Sequence, residues 1–157
     1  MKPWEIIRII IITIIGAVAM FWGQYSLYST KIIFLGDVPV DRWLAADYTP
    51  AALIVFGVCV LSTVAWYFLA AVTPFAMGRD VSRWTLVWWL LGLLPLGSIG
   101  VSVFITNRSG DAQFSLIGLF VLDALLLYWL ATATSSPEPV KYIPPGAFLI
   151  RHKLMGD

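Results

Sequence analysis

Apolar positions along the chain collect into four long runs, at about residues 6–28, 51–75, 84–106 and 114–133, separated by short polar connections. Crossing a hydrocarbon core of about 30 Å takes roughly 20 mostly apolar residues as a helix, because only a helix or a closed barrel satisfies its own backbone there. None of the runs alternates apolar and polar positions as a barrel strand does. The pattern predicts an all-α integral membrane four-helix bundle. In the first run Lys2 and Arg8 precede an isoleucine stretch ending in Ala17, Val18 and Ala19, which imitates a secretion signal. The apolar stretch continues through Met20, Phe21 and Trp22, so it reads as a retained helix.

Short connections force consecutive helices to lie side by side, which predicts antiparallel up-down topology. The longer first outer loop carries Val40, Trp43 and Leu44 at helical spacing, read as a short segment lying in the interface. Residues 1–134 form the predicted membrane domain. Residues 135–157 form a tail whose Ser135-Ser136-Pro137-Glu138-Pro139 and Pro144-Pro145-Gly146 rule out one continuous helix. Lys2, Arg8, Arg79, Arg83, Lys141, Arg151 and Lys153 fall on one side, against Lys31, Arg42 and Arg108 on the other. Cytoplasmic segments hold the excess of such residues, so both termini are expected in the cytoplasm. The membrane is expected to be the plasma membrane or an internal energy-transducing one. Trp4, Trp43, Trp84 and Trp129 fall near predicted ends, where an indole suits the headgroup layer.

Composition agrees with a lipid environment: 60% of the 157 residues are hydrophobic and 12% charged. A formal charge of +1 leaves no electrostatic footprint for nucleic acid. The single cysteine, Cys59, excludes an internal disulfide.

Asp123 is the most informative residue, about nine positions into the fourth run and so near the bilayer centre. Insertion of a carboxylate there costs on the order of 2.5 to 3.5 kcal/mol, so such a group is turned inward, paired or protonated. Its neighbours one turn away, Leu119, Phe120, Leu126 and Leu127, are apolar. Ser62, Thr63 and Ser98 lie at matching depth and are the expected partners, suiting a neutral acid that donates one hydrogen bond and accepts another. Three roles follow for Asp123: a packing contact inside the bundle, a contact with a partner subunit, or a proton or cation site.

Small residues at Gly16, Ala19 and Gly23, and at Gly92, Gly97, Ser98, Gly100 and Ser102, mark candidate helix contacts, because close backbone approach holds helices together in lipid. Pro95 is expected to bend the third helix. Trp66, Tyr67, Trp88, Trp89, Tyr128 and Trp129 would suit bound lipid, quinone or pigment, although no cofactor is predicted outright. The only histidine, His152, lies in the tail, which excludes haem held by a histidine pair of this chain. Arg151, His152 and Lys153 are expected to dock on a partner or the anionic leaflet. Asp37, Asp41 and Asp47 read as a solvated loop and no metal site is predicted. Asn107-Arg108-Ser109 matches the glycosylation triplet but sits close to two helix ends.

No C-x-x-C, H-E-x-x-H, phosphate loop or G-x-S-x-G occurs, and no acid and base can be placed at one depth, so the reading leans away from an enzyme. The expected function is a non-catalytic accessory or structural subunit that associates laterally with other integral membrane subunits or itself. The alternative is a small homo-oligomeric proton or cation transporter or channel using Asp123.

Overall fold

The structure, a computed structural model, describes residues 3–33, 35, 39–72, 79–106 and 110–155, with the side chains of 79–82, 110–112 and 154–155 excepted. Lys2, Asp37, the last residues of the second run at 73–75, the side chain of Arg79 and the triplet at 107–109 lie outside the described residues. Among those described there is no strand. Four helices are long and apolar enough to cross a membrane: α1 (Pro3–Ser29), α2 (Val40–Val72), α3 (Arg79–Ile105, apolar from Arg83) and α4 (Gln113–Ser135, its first turn beginning at Gly110). They are those of a multi-pass membrane protein. α3 continues unbroken through Pro95.

Three of the helices contain one wider, i→i+5 turn, at Ala19–Gln24 in α1, Leu44–Tyr48 in α2 and Leu125–Leu130 in α4. Such turns redirect carbonyls and shift which residues share a face. In α2 the cause is visible in the sequence. Pro50 has no N–H for the carbonyl four residues back, and the helix absorbs this by widening, while Thr49 Oγ1 donates to the Leu44 carbonyl at 2.7 Å.

This passage through Pro50 corrects the expected interfacial segment. Residues 40–48 run on into the span as part of α2, and Trp43, Leu44 and Tyr48 are buried in the core. Trp43 packs on Tyr28 with ring centroids 4.7 Å apart, whereas Trp4, another of the four indoles near segment ends, is 69% exposed. Trp43 thus faces the bundle.

Buried positions on α1 include Gly16, Met20, Gln24 and Tyr28, four residues apart. In a regular helix each step of four advances about 40° beyond a full turn, so three steps would carry this stripe well off the contact face. The wider turn at Ala19–Gln24 takes up part of that drift and keeps Met20, Gln24 and Tyr28 inward. The contacts of α1 with α4 run in opposite order along the two helices: Arg8 reaches the Thr134 carbonyl at 3.1 Å, Gly16 abuts Leu127, and Tyr28 Oη lies 3.1 Å from Ser115 Oγ.

The α2 helix fastens itself to both neighbours through hydroxyls. Tyr48 Oη donates to the Met20 carbonyl at 2.8 Å and Thr63 Oγ1 to the Leu127 carbonyl at 2.7 Å. Each acceptor lies within one of the wider turns. Toward one end the core is aromatic and aliphatic, with Tyr28, Trp43, Tyr48 and Phe120 buried among Met20, Val55 and Cys59. Toward the other, Trp66, Trp88 and Tyr128 are buried together, and Trp88 stacks on Tyr128 at 5.3 Å.

The tail folds back onto this second end. After a turn at Glu138–Val140, α5 starts at Ala147, runs as Ala147–Ile150 and continues as a wider coil through Met155. Gly146 adopts a left-handed φ of 76° to begin it, a conformation that disfavours any side chain. Val140 and Ala147 are buried, and Trp129 Nε1 donates to the Pro145 carbonyl at 2.8 Å. Arg151 is 3% exposed and donates to the Ala133 and Ser136 carbonyls at 3.0 and 2.7 Å. These carbonyls lie where α4 ends and has no further helical donors.

The expected docking role of Arg151 is corrected accordingly: its guanidinium holds the tail to the chain's own bundle. His152 and Lys153 are exposed, with His152 stacked on Phe148. Arg151→Gln is expected to release the tail, so that trypsin cuts after Lys141 at least roughly tenfold faster in detergent. Unchanged cleavage would contradict the anchoring.

Candidate functional site

Asp123 lies about 15 Å along α4 from Gln113, at 1.5 Å per residue, and is 2% exposed. Its carboxylate meets Gln24, whose Nε2 lies 2.9 Å from Oδ1 and 2.8 Å from Oδ2. Gln24 Oε1 in turn lies 3.1 Å from Tyr48 Oη, which also donates to the Met20 carbonyl. Three helices therefore meet in one chain of polar groups running from Asp123 through Gln24 to Tyr48. Side chains lean toward the N-terminus of their own helix. Where two helices run in opposite order, Gln24 and Asp123 lean toward each other, which closes the offset between their backbone levels.

The apolar surroundings give this cluster its rigidity. Phe120 is one turn before Asp123 on α4 and fully buried, with its ring centroid 6.1 Å from that of Tyr48, and Tyr28 packs on Tyr48 from the other side at 5.5 Å. Polar groups enclosed by such rings interact in a low dielectric, where a satisfied hydrogen bond is strong and an unsatisfied group costly.

The expected partners of Asp123 are corrected by this geometry. Thr63 spends its hydroxyl on the Leu127 carbonyl, and Ser98 Oγ donates to the Pro95 carbonyl at 2.7 Å. Ser62 is buried with its Oγ unpartnered, and lines a groove between α2 and α3. Depth counted from the ends of the apolar runs selects these residues, whereas the side chain that reaches the acid belongs to α1, five residues from its end. Gln24 is the residue that sequence reading missed. The available signal was its position four residues after Met20 and eight after Gly16, on the buried stripe.

The small residues divide. A Cβ on Gly16 would lie 2.3 Å from Leu127 Cδ2, and one on Gly92 2.9 Å from Tyr128 Cε1, so a side chain at either position requires that neighbour to shift. Ser102 is buried and its Oγ lies 3.4 Å from the Ala51 carbonyl. Ala19 is half-buried, Gly23 would meet only the Val18 carbonyl at 3.8 Å, and Gly97 and Gly100 have open space beside them.

The aromatic residues also divide. Trp88, Trp89, Tyr128 and Trp129 line a cavity of about 250 Å³ between α3 and α4, with Pro145 of the tail also in its wall. Three of these four have their polar groups engaged: Trp88 Nε1 donates to Thr132 Oγ1, Tyr128 Oη to the Trp88 carbonyl, and Trp129 Nε1 to the Pro145 carbonyl. Trp66 donates instead to Ser136 Oγ at 2.8 Å, and Tyr67 Oη lies 3.1 Å from Glu5 Oε2. Outside the spans, the Glu138 carboxylate accepts from Lys141 Nζ at 2.8 Å and holds that ammonium above its ordinary pKa. In the first turns of α2, Asp41 is exposed and Asp47 half-buried.

The arrangement at Asp123 is able to fasten α1, α2 and α4 together, and to accept or hold a proton at one carboxylate. Comparison with known protein families, curated proteins and solved structures finds no match to this chain.

Proposed function

We propose that the chain is a non-catalytic accessory subunit that uses a rigid, internally latched bundle to associate laterally with other integral membrane subunits. The observation that carries this reading is that both carboxylate oxygens of Asp123 are engaged by Gln24 of the same chain. The latch accounts for the acid as a packing contact and leaves the lipid-facing helix surfaces as the material for assembly. α1 alone exposes Ile10, Ile11, Ile14, Ile15, Val18 and Trp22. An up-down arrangement is supported by the opposite order of contacts between α1 and α4. Cytoplasmic termini are supported by the excess of Lys and Arg on that side.

Purified from its native membrane in mild detergent, the protein is expected to be recovered with an integral membrane partner at fixed stoichiometry. Recovery as a lone monomer would contradict the proposal. The second reading, a proton or cation carrier, draws on the continuous polar chain of Asp123, Gln24 and Tyr48. It requires that reconstituted protein carry a flux that Asp123→Asn abolishes while the fold persists. An accessory subunit shows no such flux, and its Asp123→Asn variant keeps its partner.

A further inference from the structure

The tail returns past the level at which α4 ends. Trp129 Nε1 donates to the Pro145 carbonyl, and Trp129 stands six residues, or about 9 Å, before the end of α4 at Ser135. Pro145 also shares a cavity wall with Trp89, six residues into the apolar part of α3 from Arg83, so two helices give the same depth. Arg151, by contrast, binds carbonyls at the end of α4. Residues 140–145 therefore descend along the flank of the bundle, and α5 climbs back.

The segment is equipped for a place with little water. The N–H groups of Val140, Ile143 and Ala147 donate to the Pro137, Val140 and Pro144 carbonyls, each at 3.0 Å, and Pro144 and Pro145 have no N–H to satisfy. Irregular backbone is tolerated at membrane depth when its polar groups are bonded by protein in this way. Tyr142, Phe148 and Leu149 are exposed, with the rings of Tyr142 and Phe148 5.6 Å apart. His152, stacked on Phe148, and Lys153 are exposed one turn further up α5.

We propose that the tail is a re-entrant element docked in the phospholipid leaflet at this end of the bundle. Tyr142, Phe148 and Leu149 lie among the outer parts of the acyl chains, and His152 and Lys153 lie among the headgroup phosphates. Apolar and aromatic side chains below, with basic ones above, match the layering of a leaflet, where aromatic rings favour the boundary and cations meet phosphate. The span beside Pro145 meets lipid at the same depth through exposed Leu86, Trp89 and Leu90, so the tail's outward face continues a lipid-facing surface. The inference is independent of the accessory role.

The test uses the whole protein in nanodiscs of phosphatidylcholine and phosphatidylglycerol, with a nitroxide attached at Leu149→Cys, Tyr142→Cys or Lys153→Cys in turn. Native Cys59 is buried, and the parent without an added cysteine supplies the blank. Collisions of the label with oxygen, which concentrates among acyl chains, are compared with those of a water-soluble nickel chelate. For the labels replacing Leu149 and Tyr142, the oxygen-to-nickel ratio is expected to exceed that of the label replacing Lys153 by roughly fivefold or more. Nickel collisions dominant at all three positions would put this face in water and overturn the proposal. Few collisions with either reagent at the Leu149 and Tyr142 positions would mean that protein, a partner or a second copy, covers the face, and would overturn it equally.

Discussion

Replacing Gln24 with leucine is expected to destabilise the folded chain by about 2 kcal/mol, measured by reversible unfolding with dodecyl sulfate in mixed micelles. The leucine fills a similar volume but removes the donor that meets both oxygens of Asp123 at 2.9 and 2.8 Å, and the acceptor beside Tyr48 Oη. What remains is a buried acid that has lost its hydrogen-bond donor. Asp123→Asn keeps a group able to pair with the Gln24 amide and is expected to cost less than half as much. Equal losses in the two variants would mean that the charge, and not the hydrogen-bonded contact, is what the bundle uses.

Gly16→Val is the second large expected effect, a loss of about 2–3 kcal/mol in the same assay. The first added carbon already lies 2.3 Å from Leu127 Cδ2 and 2.8 Å from Cγ, so either α1 moves away from α4 or Leu127 leaves its site. Moving α1 would also draw Gln24 from Asp123, two turns further along the same face. Shortening the opposing side chain provides the control: Gly16→Ala is expected to be tolerated better when combined with Leu127→Ala than the two single costs added would imply. By contrast Gly23→Ala, whose new carbon meets only a backbone carbonyl at 3.8 Å, is expected to leave stability unchanged. A loss at Gly23 equal to that at Gly16 would remove the close α1–α4 approach from the account.

The four helices were legible because apolar length is set by the bilayer and survives small errors at each end. Asp123 as a buried acid was legible for the same reason: one charged side chain in a long apolar run stands out. Its partner was not. Depth counted along separate runs assumes that helices are equal in length and regular in pitch, whereas α1 extends over Pro3–Ser29 and widens at Ala19–Gln24. The four-residue spacing of Gln24 after Gly16 and Met20 hints at a shared face, but no local sequence rule announces the wide turn that keeps Gln24 on it.

The segment with Val40, Trp43 and Leu44 misled in a related way. Read as lying in the interface, it continues through Pro50 as part of α2, because the turn before the proline widens and Thr49 supplies a hydrogen bond to the Leu44 carbonyl. Arg151 was read as a charge for a partner or leaflet, since its sequence neighbours are basic. The carbonyls it binds at the end of α4 are eighteen and fifteen residues away and become adjacent only once the tail has folded back.

Gln24 holds Asp123 inside a single chain, and a double-mutant cycle in lipid bicelles measures that contact directly. Unfolding free energies of the parent, Gln24→Leu, Asp123→Leu and the double variant are expected to give a coupling of about 1–2 kcal/mol, with the double variant more stable than the two single losses predict. Strictly additive losses would show that the two side chains do not meet in the membrane and would contradict the account.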